Sequence, residues 1–257
     1  MPKYFAVLFI VLLSLTARAQ TWEVGGSVGA SAYIGDLNTN NLFKPSGGYG
    51  GVFVKRNFDR YLGLRLNFVY GQISGDDSKS SIEQFRQRNL SFTDPLTELS
   101  LTLDFNFMSY IPDAGKNKYT PYVFLGLGGT SYAPRTMYNQ QQISLRHLQT
   151  EGTPYGSTAL VVPFGAGFKY NISGKWTLGA ELGYRYTNTD FLDDVSGVYK
   201  AFADPNSESA RFADRSGEVG AGPAIVGSQR GDFKPRDFYS YFGLTLSYTF
   251  VTSKCYY

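Results

Sequence analysis

Three aspartates that stand close together in the sequence, Asp190, Asp193 and Asp194, are well suited to holding a metal ion. Carboxylate oxygens are ligands that Ca²⁺ and Mg²⁺ prefer, and Asp36 and the Asp76–Asp77 pair occupy comparable positions at the bases of other predicted loops. The spacing does not match an EF-hand loop, and acidic residues at such positions commonly cap turns. We therefore expect a loop-base acidic cluster with a capping role and keep cation binding as the alternative. We predict no dedicated metal site and no cofactor.

Few residues of this chain are suited to catalysis. His147 is the only histidine, and acid–base or nucleophilic catalysis needs a nucleophile or a carboxylate held beside it. No such partner for His147 can be identified from the sequence. The glycine-rich segment Gly217–Gly227 lacks the Gly-Lys-Ser/Thr ending of a phosphate-binding loop. We expect His147 to be an ordinary loop side chain and the protein not to be an enzyme.

The single cysteine, Cys255, lies beside Lys254 near the end of the sequence. Because it has no partner in its own chain, an internal disulfide framework and a cysteine-based zinc site are excluded. The neighbouring lysine modestly favours the reactive thiolate. In an oxidising compartment two interpretations remain, an intermolecular disulfide to a partner protein or a spare thiol buried at the rim of the fold.

The elements that must position these residues are β-strands. Apolar and polar residues alternate with period 2 in eight segments; for example, Leu99, Leu101 and Leu103 alternate with Ser100 and Thr102. Successive side chains of a strand point to opposite faces, so each segment has one apolar and one polar face. The segments lie near residues 22–35, 47–57, 61–74, 96–108, 120–133, 157–170, 176–190 and 238–251.

The polar faces of these segments carry basic and acidic residues in equal number. They are Arg65, Lys169, Arg185, Glu98, Asp104 and Glu181. Opposite charges that face a narrow interior can pair with one another, and an eight-stranded barrel is just wide enough for its inward side chains to fill it. We predict that these six residues form a charge network that plugs the lumen.

The connections between the segments alternate between short and long. The short connections are 57–60, 109–119 and 171–175, and the long ones are 36–46, 75–95, 134–156 and 191–237. Short periplasmic turns and long extracellular loops are typical of outer-membrane barrels. The pattern predicts an all-β fold, an eight-stranded antiparallel transmembrane β-barrel with four long extracellular loops. An even number of strands places both termini on the periplasmic side.

The rival architecture is a soluble eight-stranded barrel of the lipocalin kind, whose apolar face would point inward. The strand segments reach 11–15 residues, enough for the ~9–11 residues needed to cross a bilayer at a tilt. Aromatic residues stand toward both ends of the apolar faces, as with Trp176 against Tyr186 and Phe238 against Phe250. Membrane barrels carry such aromatic girdles at both interfaces, so we expect contact with outer-membrane lipids.

The first residues have the pattern of a secretory signal peptide. Lys3 precedes the apolar stretch Phe5–Leu15, and Ala17-Arg18-Ala19 forms a cleavage site. We predict a signal peptide over residues 1–19 and a barrel domain over 20–257. Removal of Lys3 and Arg18 lowers the 24 basic residues to 22 against 21 acidic ones, which gives no electrostatic basis for binding nucleic acid.

Several segments, in the same order along the chain, resemble the PorG-like outer-membrane barrels of Bacteroidetes. They are Ala32–Asn38 (AYIGDLN), Arg88–Ser100, Leu148–Tyr155, Val162–Tyr170, Thr189–Tyr199 and Arg230–Tyr239, with Cys255 in the tail. The resemblance implies a component of the type IX secretion system that associates with a periplasmic ring of PorK and PorN proteins. In gliding bacteria that system also supports motility.

Two functional hypotheses follow from these observations. The first is a non-enzymatic outer-membrane component of the type IX secretion machinery that anchors or contacts the PorK/PorN-type ring through its short turns and its tail, where Cys255 lies. The second is a small outer-membrane barrel that binds ligands or surfaces through its long extracellular loops. The two differ in which end of the barrel contacts the partner.

Overall fold

The computed structural model describes residues 21–38, 44–112 and 117–250. The predicted signal peptide and Cys255 lie outside these ranges. Ten strands are present in the described chain: β1 (Thr21–Ile34), β2 (Gly47–Asn57), β3 (Leu62–Asp76), β4 (Ser91–Asn106), β5 (Tyr119–Ser131), β6 (Arg135–Tyr138), β7 (Gln141–Ser144), β8 (Thr158–Ser173), β9 (Trp176–Thr187) and β10 (Phe238–Phe250).

Eight of these strands form a closed antiparallel barrel. They follow the order β3-β2-β1-β10-β9-β8-β5-β4, and β4 pairs back with β3 to complete the circle. The first and last strands, β1 and β10, pair from Trp22 opposite Phe250 to Ile34 opposite Phe238. Closure satisfies the hydrogen-bonding groups of every strand edge. The structure therefore confirms the predicted eight-stranded antiparallel barrel.

The alternation of side chains decides which face of the sheet points inward. On β4, Leu101 is 46% exposed on the outer surface while its neighbour Thr102 is 2% exposed and faces the interior. Glu98 and Asp104 on the same strand are fully buried. The apolar face therefore points out and the polar face points in, which excludes the lipocalin-like arrangement.

Aromatic rings flank the apolar outer surface at both ends of the barrel. Near the short turns, the Trp176 and Tyr248 ring centroids lie 5.2 Å apart. Near the long loops, the Tyr186 and Phe238 centroids lie 5.1 Å apart. This is the distribution of the interfacial girdles of membrane barrels.

The hairpin of β3 and β4 is longer than the sequence pattern predicted. The predicted loop 75–95 shrinks to 77–90, because pairing continues to Asp76 opposite Ser91. Pro95 stands opposite Gln72 inside the ladder. Proline lacks an N–H group and removes only its own ladder bond, so it does not end the strand.

The other long connections contain ordered structure of their own. The predicted loop 134–156 contains β6 and β7, which pair as a hairpin, and the short helix α2 (Leu145–Leu148). Helix α1 (Glu83–Arg88) follows β3, and α3 (Glu208–Ala213) lies in the connection between β9 and β10. No helix among the described residues is long and apolar enough to cross a membrane.

A hydrophobic core closes the barrel beneath the long loops. Leu192, Val195 and Phe212 from the connection after β9 pack with Tyr33 of β1 and Ile73 of β3. All five side chains are buried. The loop end is therefore a packed cap on the barrel, and it places several polar loop residues out of contact with water.

Candidate functional site

The centre of the lumen is organised around Asp104 on β4. Its carboxylate lies 3.0 Å from Lys55 Nζ, 3.4 Å from Arg65 Nε and 3.4 Å from Lys169 Nζ. Arg65 also donates from Nη1 to Glu181 Oε2 at 2.7 Å. All of these side chains are at least largely buried. A buried charge is costly unless it is paired, and here each charge has at least one opposite neighbour.

A second ion pair lies nearer the loop end of the lumen. Arg185 Nε lies 3.2 Å from Glu98 Oε2, and the Tyr239 hydroxyl donates to the same oxygen at 2.9 Å. The structure thus directs all six residues of the proposed lumen network inward and joins them in two groups, one around Asp104 and one around Glu98.

Two further charged residues of the lumen, Lys55 and Glu23, were not predicted from the sequence. Glu23 accepts hydrogen bonds from Ser247 Oγ at 2.6 Å and Asn57 Nδ2 at 3.2 Å. Both residues lie on the glycine-rich strands β1 and β2. Glycine has no side chain to mark a face, so the alternation that identifies inward positions is weak on these strands.

The interior is filled across the middle of the barrel. A cavity between Arg65, Asp104, Tyr122 and Thr245 measures only about 10 Å³, which holds about one water molecule at most. A larger cavity of about 330 Å³ opens at the short-turn end. Its lining residues are Thr21, Glu23, Lys55, Asn57, Phe58, Asp59, Arg60, Tyr61, Asn106, Tyr110, Ile111, Pro112 and Lys169.

The three aspartates of the predicted loop-base cluster have separate environments. Asp190 accepts a hydrogen bond from Ser196 Oγ at 2.6 Å. Asp194 accepts one from Thr150 Oγ1 at 2.5 Å and faces the guanidinium of Arg230 at 3.9 Å. Both carboxylates are thus held by loop side chains, whereas a capping role would need hydrogen bonds from backbone N–H groups.

Asp193 instead meets two aspartates from other parts of the chain. One carboxylate oxygen from each of Asp36, Asp193 and Asp237 lies within 4.8 Å of the other two. Burial raises the pKa of Asp36 to about 8, with the charges of Asp232 and Asp190 adding to the shift. Burial and the charge of Asp36 likewise raise the pKa values of Asp193 and Asp237. Ionisation of this trio is therefore electrostatically unfavourable in the isolated chain.

Two buried arginines hold the loops together around the aspartate trio. Arg88 pairs with Asp77 through Nε at 2.7 Å and Nη2 at 2.8 Å, and it also donates to the main-chain oxygens of Asp36 and Arg230. Arg230 in turn pairs with Glu151 at 2.8 Å. Each arginine therefore connects loops that are far apart in sequence.

The sequence comparisons assign the chain to a family but give it no role. The profile of a family described as a domain of unknown function, DUF6089, matches residues 2–214. The chain belongs to this family. No curated protein sequence matches it significantly. The family match ends before Arg230, Asp237 and the closing strand β10.

Solved structures that resemble the chain include outer-membrane proteins. OprG of Pseudomonas aeruginosa is 10% identical, with a TM-score of 0.44 and coverage of 93% of this chain and 99% of that one. A major outer membrane protein of Thermus thermophilus is 13% identical, with a TM-score of 0.42 and coverage of 91% and 100%. Neisserial surface protein A is 9% identical, with a TM-score of 0.46 and coverage of 89% and 97%. Likenesses at this level assign no function.

The remaining sequence-predicted residues have simpler positions. His147 is exposed on α2, and Cys255 lies outside the described residues, so its disulfide stays a prediction. Among the residues that the sequence did not single out, Arg88 and Arg230 are central to the loop end. Both fall in segments that carry the family resemblance, but their partners come from distant positions that no local pattern connects.

Proposed function

We propose that this protein is an outer-membrane β-barrel that serves as a non-enzymatic component of the type IX secretion system, where it contacts or anchors a periplasmic ring of PorK/PorN-like proteins. The observation that carries the proposal is the combination of an apolar outer surface with a filled lumen. The assignment to this secretion system comes from the resemblance to PorG-like barrels. The family match itself carries no function.

Residence in a membrane follows from the outer surface. Val28, Leu127 and Leu160 are 66 to 70% exposed at barrel positions that face outward. Exposed apolar patches of this extent mark contact with lipid or with another protein, and a closed barrel is one of the two structures whose backbone can cross a bilayer. The predicted signal peptide directs such a chain to export, and the outer membrane is where barrels of this kind reside.

Because the lumen is filled, we look for the functional surfaces at the two ends of the barrel. The ion pairs around Asp104 and Glu98 lie inside the lumen, and the cavity beside Asp104 measures only about 10 Å³. The filled interior therefore does not favour a role in conducting solutes through the barrel. A barrel without a channel can still fix a protein assembly at the membrane through the surfaces of its ends.

The short-turn end offers a concave surface for such a contact. Arg60 and Tyr61 of the turn after β2 border the 330 Å³ cavity together with Ile111 and Pro112. Tyr61 is 43% exposed. In the proposed orientation both termini and this surface face the periplasm, where a ring protein can insert a side chain or a loop.

Site-specific photo-crosslinking tests the proposal in the native host. A photoreactive amino acid replaces Tyr61 at the short-turn end in one strain and the exposed Ile225 at the long-loop end in a matched control. We expect crosslinks from position 61 to PorK- or PorN-like proteins and none of these from position 225.

Two outcomes would contradict the proposal. Crosslinks to surface ligands from position 225 alone would favour the alternative function in loop-mediated binding. An absence of ring proteins at both positions, in membranes where the barrel is folded and the ring is intact, would remove the link to type IX secretion.

A further inference from the structure

Three aspartates converge beneath the loops because three neighbouring strands end there. Ile34 at the end of β1 pairs with Phe238 at the start of β10, so Asp36 and Asp237 leave the barrel side by side. Asp193 follows β9, which pairs with β10 on its other side. Each of the three aspartates is at most 2% exposed.

The hydrogen bonds of this trio bring no positive charge to balance its three carboxylates. Asp193 accepts from the Tyr33 hydroxyl and from the Val195 N–H at 2.9 Å. Asp237 accepts from the Leu192 N–H at 3.0 Å and, at 3.3 Å, from the Tyr33 hydroxyl. All of these donors are neutral groups.

The nearby arginines form their ion pairs with other acids. The Arg88 guanidinium pairs with Asp77, and Arg230 pairs with Glu151 and Asp194. Within the described ranges, no ion pair shorter than 4 Å reaches Asp36, Asp193 or Asp237. Several buried carboxylates without a cation are unfavourable unless a proton or a metal ion joins them.

A second observation, independent of the clustering, points to a ligand. Asp36 Oδ1 accepts the main-chain N–H of Asp232, whereas Asp36 Oδ2 is buried and accepts no hydrogen bond from the main chain or from a basic side chain. The carboxylate of Asp232 also lies beside Asp36 and adds negative charge there. Buried polar atoms usually have a partner, so this oxygen is available to a ligand.

The backbone beside the trio is shaped to leave room for these oxygens. A side chain at Gly35 would place its Cβ only 2.1 Å from both Asp237 Oδ1 and the Tyr33 hydroxyl. The glycine therefore allows the main chain to pass close to the carboxylates, and any other residue at position 35 would displace them.

We propose that Asp36, Asp193 and Asp237 form a binding site for a hard divalent cation, Ca²⁺ in particular. Ca²⁺ binds six to eight oxygens at about 2.3–2.6 Å, so two of its ligands are at most about 5 Å apart. The three oxygens lie within 4.8 Å of one another, which is inside this limit. Water molecules complete the coordination, and the ion supplies the positive charge that the neutral donors do not.

The cation would fasten separate parts of the chain to one another. Asp36 belongs to the connection after β1, and Asp193 and Asp237 belong to the two ends of the connection between β9 and β10. One bound ion thus ties both connections to the rim of the barrel. This site is independent of any contact at the short-turn end, and its test needs no secretion partner.

Calcium binding to the purified full-length barrel in detergent tests the proposal. After treatment with a chelator and its removal, equilibrium dialysis against CaCl₂ up to 1 mM gives the number of ions bound, and thermal unfolding gives their effect. We expect about one Ca²⁺ per chain and a higher unfolding temperature with Ca²⁺. Affinities of 10⁻⁴–10⁻³ M are usual for extracellular calcium sites, so the range covers the expected value.

Matched variants distinguish this site from general acidity. Asp36→Asn and Asp237→Asn should each weaken Ca²⁺ binding at least tenfold and remove the calcium-dependent stabilisation. Asp204→Asn, an exposed acid of the same long connection, should leave both unchanged. A shift in gel mobility between unheated and boiled samples shows that each variant is folded, and the second aspartate variant replaces the first if one fails to fold.

Two results would overturn the proposal. One is that the folded wild-type barrel binds no Ca²⁺ at 1 mM and that the asparagine variants are more stable than the wild type whether or not calcium is present. That result would mean that protons alone neutralise the trio. The other is calcium binding that is lost equally in Asp204→Asn and Asp36→Asn.

Discussion

Arg65 and Glu181 join opposite walls of the barrel. Arg65 lies on β3 and Glu181 on β9, four strands apart in either direction around the circle, and Arg65 Nη1 lies 2.7 Å from Glu181 Oε2. The pair therefore spans the lumen as a cross-strut. Asp104 and Tyr122 extend it, because Arg65 also contacts Asp104 and the Tyr122 hydroxyl also donates to Glu181.

Breaking this cross-strut should destabilise the barrel strongly. Arg65→Met leaves Glu181 buried without its cation, and the loss of one partner of a buried ion pair typically costs about 3–5 kcal/mol. We expect the free energy of unfolding in urea, followed by tryptophan fluorescence in lipid vesicles, to fall by this amount. The double variant Arg65→Met/Glu181→Leu should regain part of the loss. A single variant as stable as the wild type would show that water, and not Arg65, solvates Glu181.

Arginine substitutions on the outer surface of β4 should show how deeply each position lies in the membrane. Leu101 lies in the middle of the strand, and Phe107 follows its short-turn end on the same exposed face. Leu101→Arg should cost about 2–4 kcal/mol of unfolding free energy near the bilayer midplane, and Phe107→Arg about 0–1 kcal/mol near the interface. Unfolding of both variants in vesicles measures the difference. Equal costs would place the outer surface of the barrel outside the hydrocarbon core.

Arg88 should hold the loop end closed. Arg88→Met removes its ion pair with Asp77 and its bonds to the main chain of Asp36 and Arg230, and hydrogen bonds to charged groups are worth about 1.5–3 kcal/mol each. We expect trypsin to cleave after the exposed Lys200 at least about tenfold faster than in the wild type. The control Arg86→Met changes an exposed arginine of the same helix and should leave the rate unchanged. Equal rates in both variants would mean that the loops are held by their apolar core alone.

Cys255 should form an intermolecular disulfide in native membranes if the tail takes part in anchoring. A non-reducing gel should then show a heavier adduct that disappears with reductant and in Cys255→Ser. The mass of the adduct identifies the partner as a ring component or a second copy. A thiol that is fully alkylatable in every copy would contradict the covalent link and leave any contact of the tail non-covalent.

The strands could be predicted from the sequence because the apolar or polar character of each residue indicates which face of the sheet it occupies. Leu101 and Thr102 differ in hydropathy, and the period-2 alternation of such pairs along β4 is enough to assign inside and outside. The same rule directs Arg65 and Glu98 into the lumen. It fails on β1 and β2, where glycines hide the alternation and the inward Lys55 and Glu23 are missed.

The loop end could not be predicted in the same way because its contacts are non-local. Arg88 bonds to the main chain of Arg230 across most of the barrel sequence, and Asp36 meets Asp193 and Asp237 only after β1, β9 and β10 have paired. The grouping of Asp190 and Asp194 with Asp193 followed sequence spacing. The actual neighbours of Asp193 are set by the closure of the sheet.

The pairing of β1 with β10 means that the barrel closes only when the two ends of the described chain meet. Trp22 and Phe250 are partners from nearly opposite ends of the described chain, and contacts between such distant residues form slowly. Until β10 pairs with β1, the open edge of β1 carries backbone N–H and C=O groups that lipid cannot satisfy. A chain that lacks β10 therefore cannot close the barrel, because β10 lies between β1 and β9. We expect such a chain to be prone to aggregation, because its open strand edges and its apolar outer surface are left without partners.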